Sequence, residues 1–187
     1  MKNIFLPFFA LISLAAFSQD KVNPAIRQGT KFNYVVHTGG QDYNFSASLD
    51  SVSPGYIKLG WAIEGAGSGG WIMKKNSLER ATHGYWDQPL PGADVELPDD
   101  QNVLMLSKVQ WELIQKEKKS VVDDQNFLTK TPTEQQLLRL NGKIVDGILL
   151  EAVNGFRIWV LNNPVFPIIL KIEGNPRGID LELQSID

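Results

Sequence analysis

The chain has 187 residues, of which 43 % are hydrophobic, so it is long and apolar enough for one domain with a core of its own. It carries 18 Lys and Arg against 21 Asp and Glu, and this net charge of −3 argues against nucleic acid as a partner. No cysteine occurs, which excludes disulfides, thiolate metal sites and lipid attachment to an N-terminal cysteine.

The first eighteen residues are typical of a cleavable signal peptide. Lys2 gives the positive start, an apolar run extends from Ile4 to Ala15, and small residues end the segment. The run is shorter than the roughly 20 apolar residues of a transmembrane helix. We therefore expect cleavage before Gln19 and a single β-rich domain over residues 19–187. We also expect no integral membrane segment after cleavage, and a periplasmic or secreted location.

The region that follows alternates apolar and polar residues with a period of two, which predicts β-strands with one apolar face. Three such runs are separated by glycine-bearing turns: 31–36, 42–50 and 57–63, with turns at Gly39-Gly40 and Ser53-Pro54-Gly55. Glycines permit the positive φ angles of tight turns, so the pattern predicts a three-stranded antiparallel meander. A glycine loop over 65–70 and a fourth short strand over 71–73 are expected next.

The middle of the chain reads as a loop, a strand and a helix. Residues 82–102 contain three prolines and no apolar period, which predicts a long surface loop. The apolar run 103–107 predicts a strand. Residues 108–119 predict a helix, because their apolar side chains lie near one helical face.

Residues 131–140 carry two conflicting patterns. Thr131-Pro132-Thr133-Glu134 fits a capping box at a helix start, whereas Asn141-Gly142 between two apolar runs is typical of a β-hairpin. We favour a strand that ends at Leu140 and is entered through a helical turn, and a helix over 132–140 stays open. Four more strands follow as a meander: 148–153, 156–161, 168–172 and 179–186. The whole pattern predicts a mainly β (α+β) fold, a curved antiparallel sheet or half-barrel with one or two short helices.

The C-terminal strands carry a recognisable pattern: Arg157-Ile158-Trp159-Val160-Leu161, then Asn163-Pro164-Val165-Phe166-Pro167-Ile168-Ile169-Leu170-Lys171, then Leu181-Glu182-Leu183-Gln184-Ser185-Ile186. An aromatic-bearing strand, a turn marked by proline and two closing strands follow one another. In this the chain resembles the end of exported half-barrel domains, such as the outer-membrane lipoprotein carrier and related periplasmic families. The resemblance covers only these strands. It implies a curved antiparallel sheet wrapped on a helix, with an apolar concavity that in the carriers receives acyl chains. It carries over no catalytic residue and identifies no lipoprotein partner.

Gly65, Gly67 and Gly70 fit the dinucleotide-binding pattern G-x-G-x-x-G. That pattern binds a dinucleotide only where a helix follows the glycines inside a βαβ unit. Here Trp71-Ile72-Met73 resumes a strand, so we interpret the glycines as a hairpin loop and expect no cofactor.

Four aromatic residues near the glycine loop and the long loop are the candidate ligand-binding residues: Trp61, Trp71, Tyr85 and Trp86. Such side chains line the mouths of cavities or stack on sugar rings. For Trp61, core packing stays the default interpretation.

His83 and Asp87 are the one pair in a loop that could transfer a proton or form part of a metal site. With only two histidines in the chain and no cysteine, the pattern of a zinc site is absent. We therefore assign no catalytic and no metal-binding residue.

Three hypotheses about function follow. The first is an exported, soluble, non-enzymatic domain that binds a lipid, another hydrophobic ligand or a protein partner of the cell envelope. The second is an extracytoplasmic hydrolase with its site near His83 and Asp87. The third is a carbohydrate-binding module that uses exposed tryptophans, Trp71 and Trp86.

Overall fold

The structure is a computed structural model, and it describes residues 21–187. The predicted signal peptide over 1–18 and the cleavage point before Gln19 lie outside the described residues. Neither helix found between residues 21 and 187 has the length and apolar character needed to cross a membrane.

The described residues form fifteen strands, two α-helices and one short 3-10 turn. The strands of the first half are β1 (Lys31–Thr38), β2 (Gln41–Ser53), β3 (Tyr56–Ile63), β4 (Gly67–Lys74), β5 (His83–Gly84), β6 (Asp94–Glu96) and β7 (Gln101–Asn102). Those of the second half are β8 (Lys119–Val122), β9 (Gln125–Lys130), β10 (Arg139–Leu140), β11 (Lys143–Ile144), β12 (Gly147–Ala152), β13 (Arg157–Leu161), β14 (Ile169–Glu173) and β15 (Ile179–Ile186). The helices are α1 (Lys75–Arg80) and α2 (Lys108–Glu117), and the 3-10 turn is Glu134–Gln136.

Eleven strands make one sheet in the order β6-β4-β3-β2-β1-β15-β14-β13-β12-β9-β8. Neighbouring strands run antiparallel except β4 and β6, which are parallel. The first and last strands meet inside the sheet, with β1 pairing β15 from Phe32 and Ile186 to Thr38 and Ile179. The sheet does not close, so β6 and β8 are its two edges. The predicted mainly β fold with a curved antiparallel sheet and two short helices is confirmed.

The sheet curves around an apolar interior. Val36 from β1, Trp71 from β4 and Ile158 from β13 all line one cavity. In a flat sheet β4 and β13 would lie about 29 Å apart, because six strand spacings of about 4.8 Å separate them. Only a curved sheet can bring these three side chains to one cavity.

The alternation predicted for the N-terminal strands gives this sheet its two faces. On β1, Phe32, Tyr34 and Val36 are buried on the inner face, while Lys31 is exposed. The outer face of the C-terminal strands carries ion pairs such as Arg157–Glu173 at 3.0 Å. An inner apolar face and an outer polar face are what a period of two produces in a sheet with one wet side.

The glycine loop predicted over 65–70 is wrong, because β4 already begins at Gly67. A Cβ atom on Gly69 would lie 2.6 Å from the carbonyl oxygen of Ala93 and 3.0 Å from Nε1 of Trp61. Glycine in a strand often marks such a close approach of another backbone. These glycines therefore allow the loop before β6 to lie close against β4. The turn between β3 and β4 is shorter than predicted.

The strand predicted over 103–107 is also wrong. Leu104 has a φ of 56°, which no regular strand accommodates, and only Met105 forms an isolated bridge, to Ile168. The side chains are nevertheless buried, from Val103 to Leu106. This segment crosses the inner face of the sheet, where Leu104 and Leu106 hydrogen-bond to the chain at 167–169.

The predicted helix over 108–119 is present as α2, which ends two residues earlier because Lys118 adopts a left-handed conformation with φ 56°. Ser107 and Gln110 form a capping box at its start. Helix α1 was not predicted, since its six residues are mostly polar and show no apolar period.

Two hairpins turn on pairs of residues with positive φ. Asn141 and Gly142, with φ of 51° and 77°, join β10 to β11 as predicted, and the chain enters β10 through the short 3-10 turn. Asp123 and Asp124, with φ of 49° and 62°, join β8 to β9 in a hairpin that was not predicted.

The long region 82–102 is mostly irregular as expected, although β5, β6 and β7 lie in it.

Candidate ligand-binding cavity

A cavity of about 590 Å³ lies between the inner face of the sheet and two segments that cross it, residues 83–89 and residues 102–106. The inner face contributes aliphatic side chains from β1, β13, β14 and β15, and the crossing segments contribute the opposite wall. Protein interiors have few voids larger than one water molecule. A space of this size falls within the range of about 300–1,000 Å³ that is usual for small-molecule sites.

The chemistry of the lining is apolar and lacks cationic side chains. None of the described residues that line the cavity is a lysine or an arginine. The lining groups that could carry a charge near neutral pH are His83 and Asp87. The cavity therefore offers a large hydrophobic surface and, among the described residues, no lysine or arginine to pair with a buried anion.

The cavity opens at the end of the sheet where the first hairpins turn. Its exposed lining residues are Tyr43 and Ala66, next to the hairpin turns, and Asp87 and Gln88 in the long loop. Tyr43, Asp87 and Gln88 thus bring polar atoms to the opening. The deeper lining is largely hydrocarbon, with Asn102 and Gln110 as its buried polar residues.

Three of the four predicted aromatic residues lie in this cavity. Trp71, Tyr85 and Trp86 line it, whereas Trp61 does not. Trp61 instead packs behind Trp71, with ring centroids 6.0 Å apart and an angle of 34° between the planes. Tyr85 meets Trp71 edge to face at 6.4 Å. Trp71 is only 3 % exposed, so it does not form with Trp86 the open stacking platform that a sugar would need.

The loop that carries Tyr85 and Trp86 is fastened by Asp123. One carboxylate oxygen of Asp123 accepts a hydrogen bond from the backbone N–H of Gly84 at 2.9 Å. The other accepts from Nε1 of Trp86 at 2.7 Å. Asp123 lies in the left-handed turn between β8 and β9, and its side chain reaches the loop at Gly84 and Trp86. This hairpin, which was not predicted, therefore holds one wall of the cavity in place.

Burial perturbs the two tyrosines of the lining. Burial raises the pKa of Tyr43. The pKa of Tyr85 is raised mainly by burial and further by the nearby negative charge of Asp87. Both phenols are therefore neutral around pH 7, and both can donate a hydrogen bond at the cavity.

His83 and Asp87 both line the cavity, but no hydrogen bond or ion pair joins them in residues 21–187. The ring of His83 lies instead between Asp124, at 3.4 Å from Nε2, and Asp100, at 3.8 Å from Nδ1. Oγ1 of the adjacent Thr82 is 3.2 Å from Nδ1. Among the described residues, the polar contacts of the His83 ring are Asp100, Asp124 and Thr82, so no serine or other nucleophile outside its own neighbour lies against it.

Two polar groups of the lining have no hydrogen-bond partner among the described residues: the side-chain amide nitrogen of Asn102 and Nε1 of Trp71. Asn102 is 3 % exposed. Asn102 and Asp123 were not among the predicted site residues, because both lie in segments without periodicity. No motif in the chain marks either of them.

Comparisons with protein-family models, with characterised proteins and with solved structures returned no significant match. The resemblance of the C-terminal strands to exported half-barrel domains therefore stays a prediction. Within residues 21–187, no three histidine, aspartate or glutamate side chains are grouped so that they could hold a metal ion.

Proposed function

We propose that this protein is a non-enzymatic binding protein that holds a hydrophobic small molecule in the cavity between its curved sheet and the crossing segments 83–89 and 102–106. The observation that carries the proposal is the cavity itself, about 590 Å³ of space with an apolar lining. An unfilled space of this size leaves the side chains around it with fewer packing contacts. A bound ligand would supply the missing contacts.

The shape of the fold supports this role. The inner face of the sheet is buried on all of its central strands, yet Val36, Ile158 and Ile172 meet open space where another protein would place core side chains. Binding proteins with β-rich folds commonly take apolar ligands into a concavity of this kind.

The proposal includes export, because the first eighteen residues have the pattern of a signal peptide. The mass of the protein recovered from its producing cells tests this part by itself. A chain that begins at Gln19 supports export, and an intact chain that begins at Met1 contradicts it.

The cavity is tested by filling it. In Val36→Phe the larger side chain enters the space beside β1, and we expect the affinity for the hydrocarbon fluorophore 1,6-diphenylhexatriene to fall at least tenfold. Val36 is 5 % exposed and lines the cavity. The control is Val52→Phe, because Val52 is 40 % exposed on β2 and does not line the cavity. This control should bind the fluorophore like the wild type.

The melting temperature shows whether the variant is folded, and a filled cavity should leave it unchanged or raise it. Ile172→Phe, on β14, is a second filling variant should Val36→Phe fail to fold. A wild-type protein that does not bind the fluorophore, or a folded filling variant that binds it as well as the wild type, contradicts the proposed function.

A further inference from the structure

The opening of the cavity carries an accessible negative charge. Asp87 is the one carboxylate among the described residues that line the cavity, and it is exposed at the opening. Within residues 21–187 its side chain forms no hydrogen bond and no ion pair. The carboxylate is therefore available to a ligand that enters the cavity.

The wall that carries Asp87 is surrounded by further carboxylates. Asp123 accepts hydrogen bonds from two N–H groups of this wall, at 2.9 Å and 2.7 Å. Asp100 and Asp124 lie 3.8 Å and 3.4 Å from the ring nitrogens of His83. In the part of the chain that the structure describes, His83 is the only basic side chain within ion-pair distance of these carboxylates. Even a protonated His83 would leave most of this negative charge unbalanced.

This charge acts on the space inside the opening. Charges of one sign beside a low-dielectric cleft raise the local concentration of ligands of the opposite sign. The charge of Asp87 reaches the lining, because it adds to the effect of burial in raising the pKa of Tyr85. An anionic end group would meet repulsion at this place, and the described lining has no lysine or arginine to offset it.

The deeper lining determines which part of a ligand lies inside. Buried aliphatic side chains such as Leu106, Ile158 and Ile169 line it. A charged group that entered this region would lose its hydration without replacement, so it must stay at the opening. Tyr43 and Trp86 also line the cavity, and aromatic rings attract a cation that lies over their faces. The arrangement suits a ligand with an apolar body and a positive end.

We propose that the ligand is a cationic amphiphile, a long-chain amine or quaternary ammonium compound, whose chain lies in the cavity and whose positive end meets Asp87 at the opening. This inference rests on the proposed function, since it names the ligand class of the same cavity.

The experiment measures displacement of bound 1,6-diphenylhexatriene by three compounds with the same chain: dodecyltrimethylammonium, 1-dodecanol and dodecanoate. Each is used below the concentration at which it forms micelles. The affinity for each charged compound is divided by the affinity for 1-dodecanol, because this ratio removes the shared contribution of the chain. For the wild type we expect dodecyltrimethylammonium to bind at least tenfold more tightly than dodecanoate.

Asp87→Asn removes the charge and keeps the size of the side chain. We expect the ratio for dodecyltrimethylammonium to fall about threefold and the ratio for dodecanoate to rise about threefold, as the loss of an exposed ion pair and of a like-charge repulsion predicts. A change in the shape of the opening alone would move both ratios in the same direction. The opposite shifts therefore identify an effect of charge.

Asp50→Asn is the matched control, because it makes the same change in net charge away from the cavity. Asp50 is exposed on β2 and does not line the cavity. It lies seven residues along the strand from Tyr43, about 23 Å at about 3.3 Å per residue. This distance exceeds the Debye length of about 10 Å at 0.1 M salt. Both ratios should stay as in the wild type.

Two results overturn this inference and leave the proposed function standing, provided that 1-dodecanol still binds. One is a wild type that binds dodecanoate as tightly as dodecyltrimethylammonium, as would follow if Arg177, exposed in the turn before β15, held an anionic end. The other is a folded Asp87→Asn whose ratios match those of Asp50→Asn. Failure of 1-dodecanol and of the fluorophore to bind the wild type contradicts the proposed function and removes this inference with it. Melting temperatures show whether each variant is folded, and the wild-type comparison needs no variant.

Discussion

Replacing Asp123 with asparagine should loosen the wall of the cavity, because this carboxylate holds Gly84 and Trp86 in the loop that also carries Tyr85. Its two oxygens accept hydrogen bonds from the N–H of Gly84 at 2.9 Å and from Nε1 of Trp86 at 2.7 Å. In Asp123→Asn one oxygen remains to accept, but an NH₂ group faces the other donor. The variant loses one charge-assisted hydrogen bond and weakens the second.

Hydrogen bonds to charged groups contribute about 1.5–3 kcal/mol each, and Asp123 is half-buried, so we expect a loss of about 2 kcal/mol. The backbone should not change, since asparagine tolerates the left-handed φ of 49° found at this position. If the loss is confined to the loop, the amide of Gly84 should exchange its hydrogen about 30-fold faster than in the wild type. Bound 1,6-diphenylhexatriene should also dissociate faster.

Asp124→Asn provides the matched control one residue away. Asp124 also has a left-handed φ, of 62°, but its side chain is 90 % exposed and its closest ionic contact is His83 at 3.4 Å. We expect this variant to lose no more than about 0.5 kcal/mol. The assay is urea denaturation combined with amide exchange followed by NMR. Equal effects of the two variants, or unchanged exchange at Gly84 in Asp123→Asn, would refute the reasoning.

Two further predictions concern the sheet. Gly69→Ala should destabilise the protein by about 1–3 kcal/mol in urea denaturation, because the new Cβ would lie 2.6 Å from the carbonyl oxygen of Ala93. Gly55→Ala, where no atom lies within 4 Å, should cost less than about 0.5 kcal/mol, and equal losses would show that the close approach at Gly69 is unimportant. Burial raises the pKa of Tyr34 above its ordinary value of 10.0, so the folded protein keeps a proton that the unfolded chain releases, and stability should fall as pH rises above 10. Tyr34→Phe should lower stability by about 1 kcal/mol at pH 7 and flatten this fall, and an equally steep fall in the variant would contradict the assignment.

The sheet could be predicted from the sequence, because the patterns that specify its strands and turns lie within short stretches of the chain. Alternation along β1, β2 and β15 determines which side chains face inward, and the turn residues Asn141 and Gly142 specify a hairpin on their own. For these elements the sequence pattern and the tertiary structure demand the same conformation.

The wall opposite the sheet could not be predicted, because long-range contacts determine its conformation. Leu104 adopts positive φ although leucine has no preference for it, and the surrounding hydrogen bonds to the chain at 167–169 maintain that conformation. Asp123 and Asp124 make a hairpin turn without the glycine that usually marks one. The cavity lies between the predictable sheet and this unpredictable wall. The aromatic residues therefore indicated where the cavity lies. No sequence pattern marked Asn102 or Asp123 as part of its wall.

The pairing of β1 with β15 has a consequence for how the protein folds. Strand β15 links two sets of strands, one built from the first part of the chain and one from its later part, and its partner residues on β1 are separated from it by most of the sequence. Contacts between such distant segments slow folding, because the loop-closure entropy is lost before the contacts form. Until β15 is in place, Val36 and Ile158 belong to separate half-sheets with exposed apolar faces. We therefore expect a slow, late folding step that completes the barrel-like curvature, and we expect the capacity to bind a ligand to emerge only in that step.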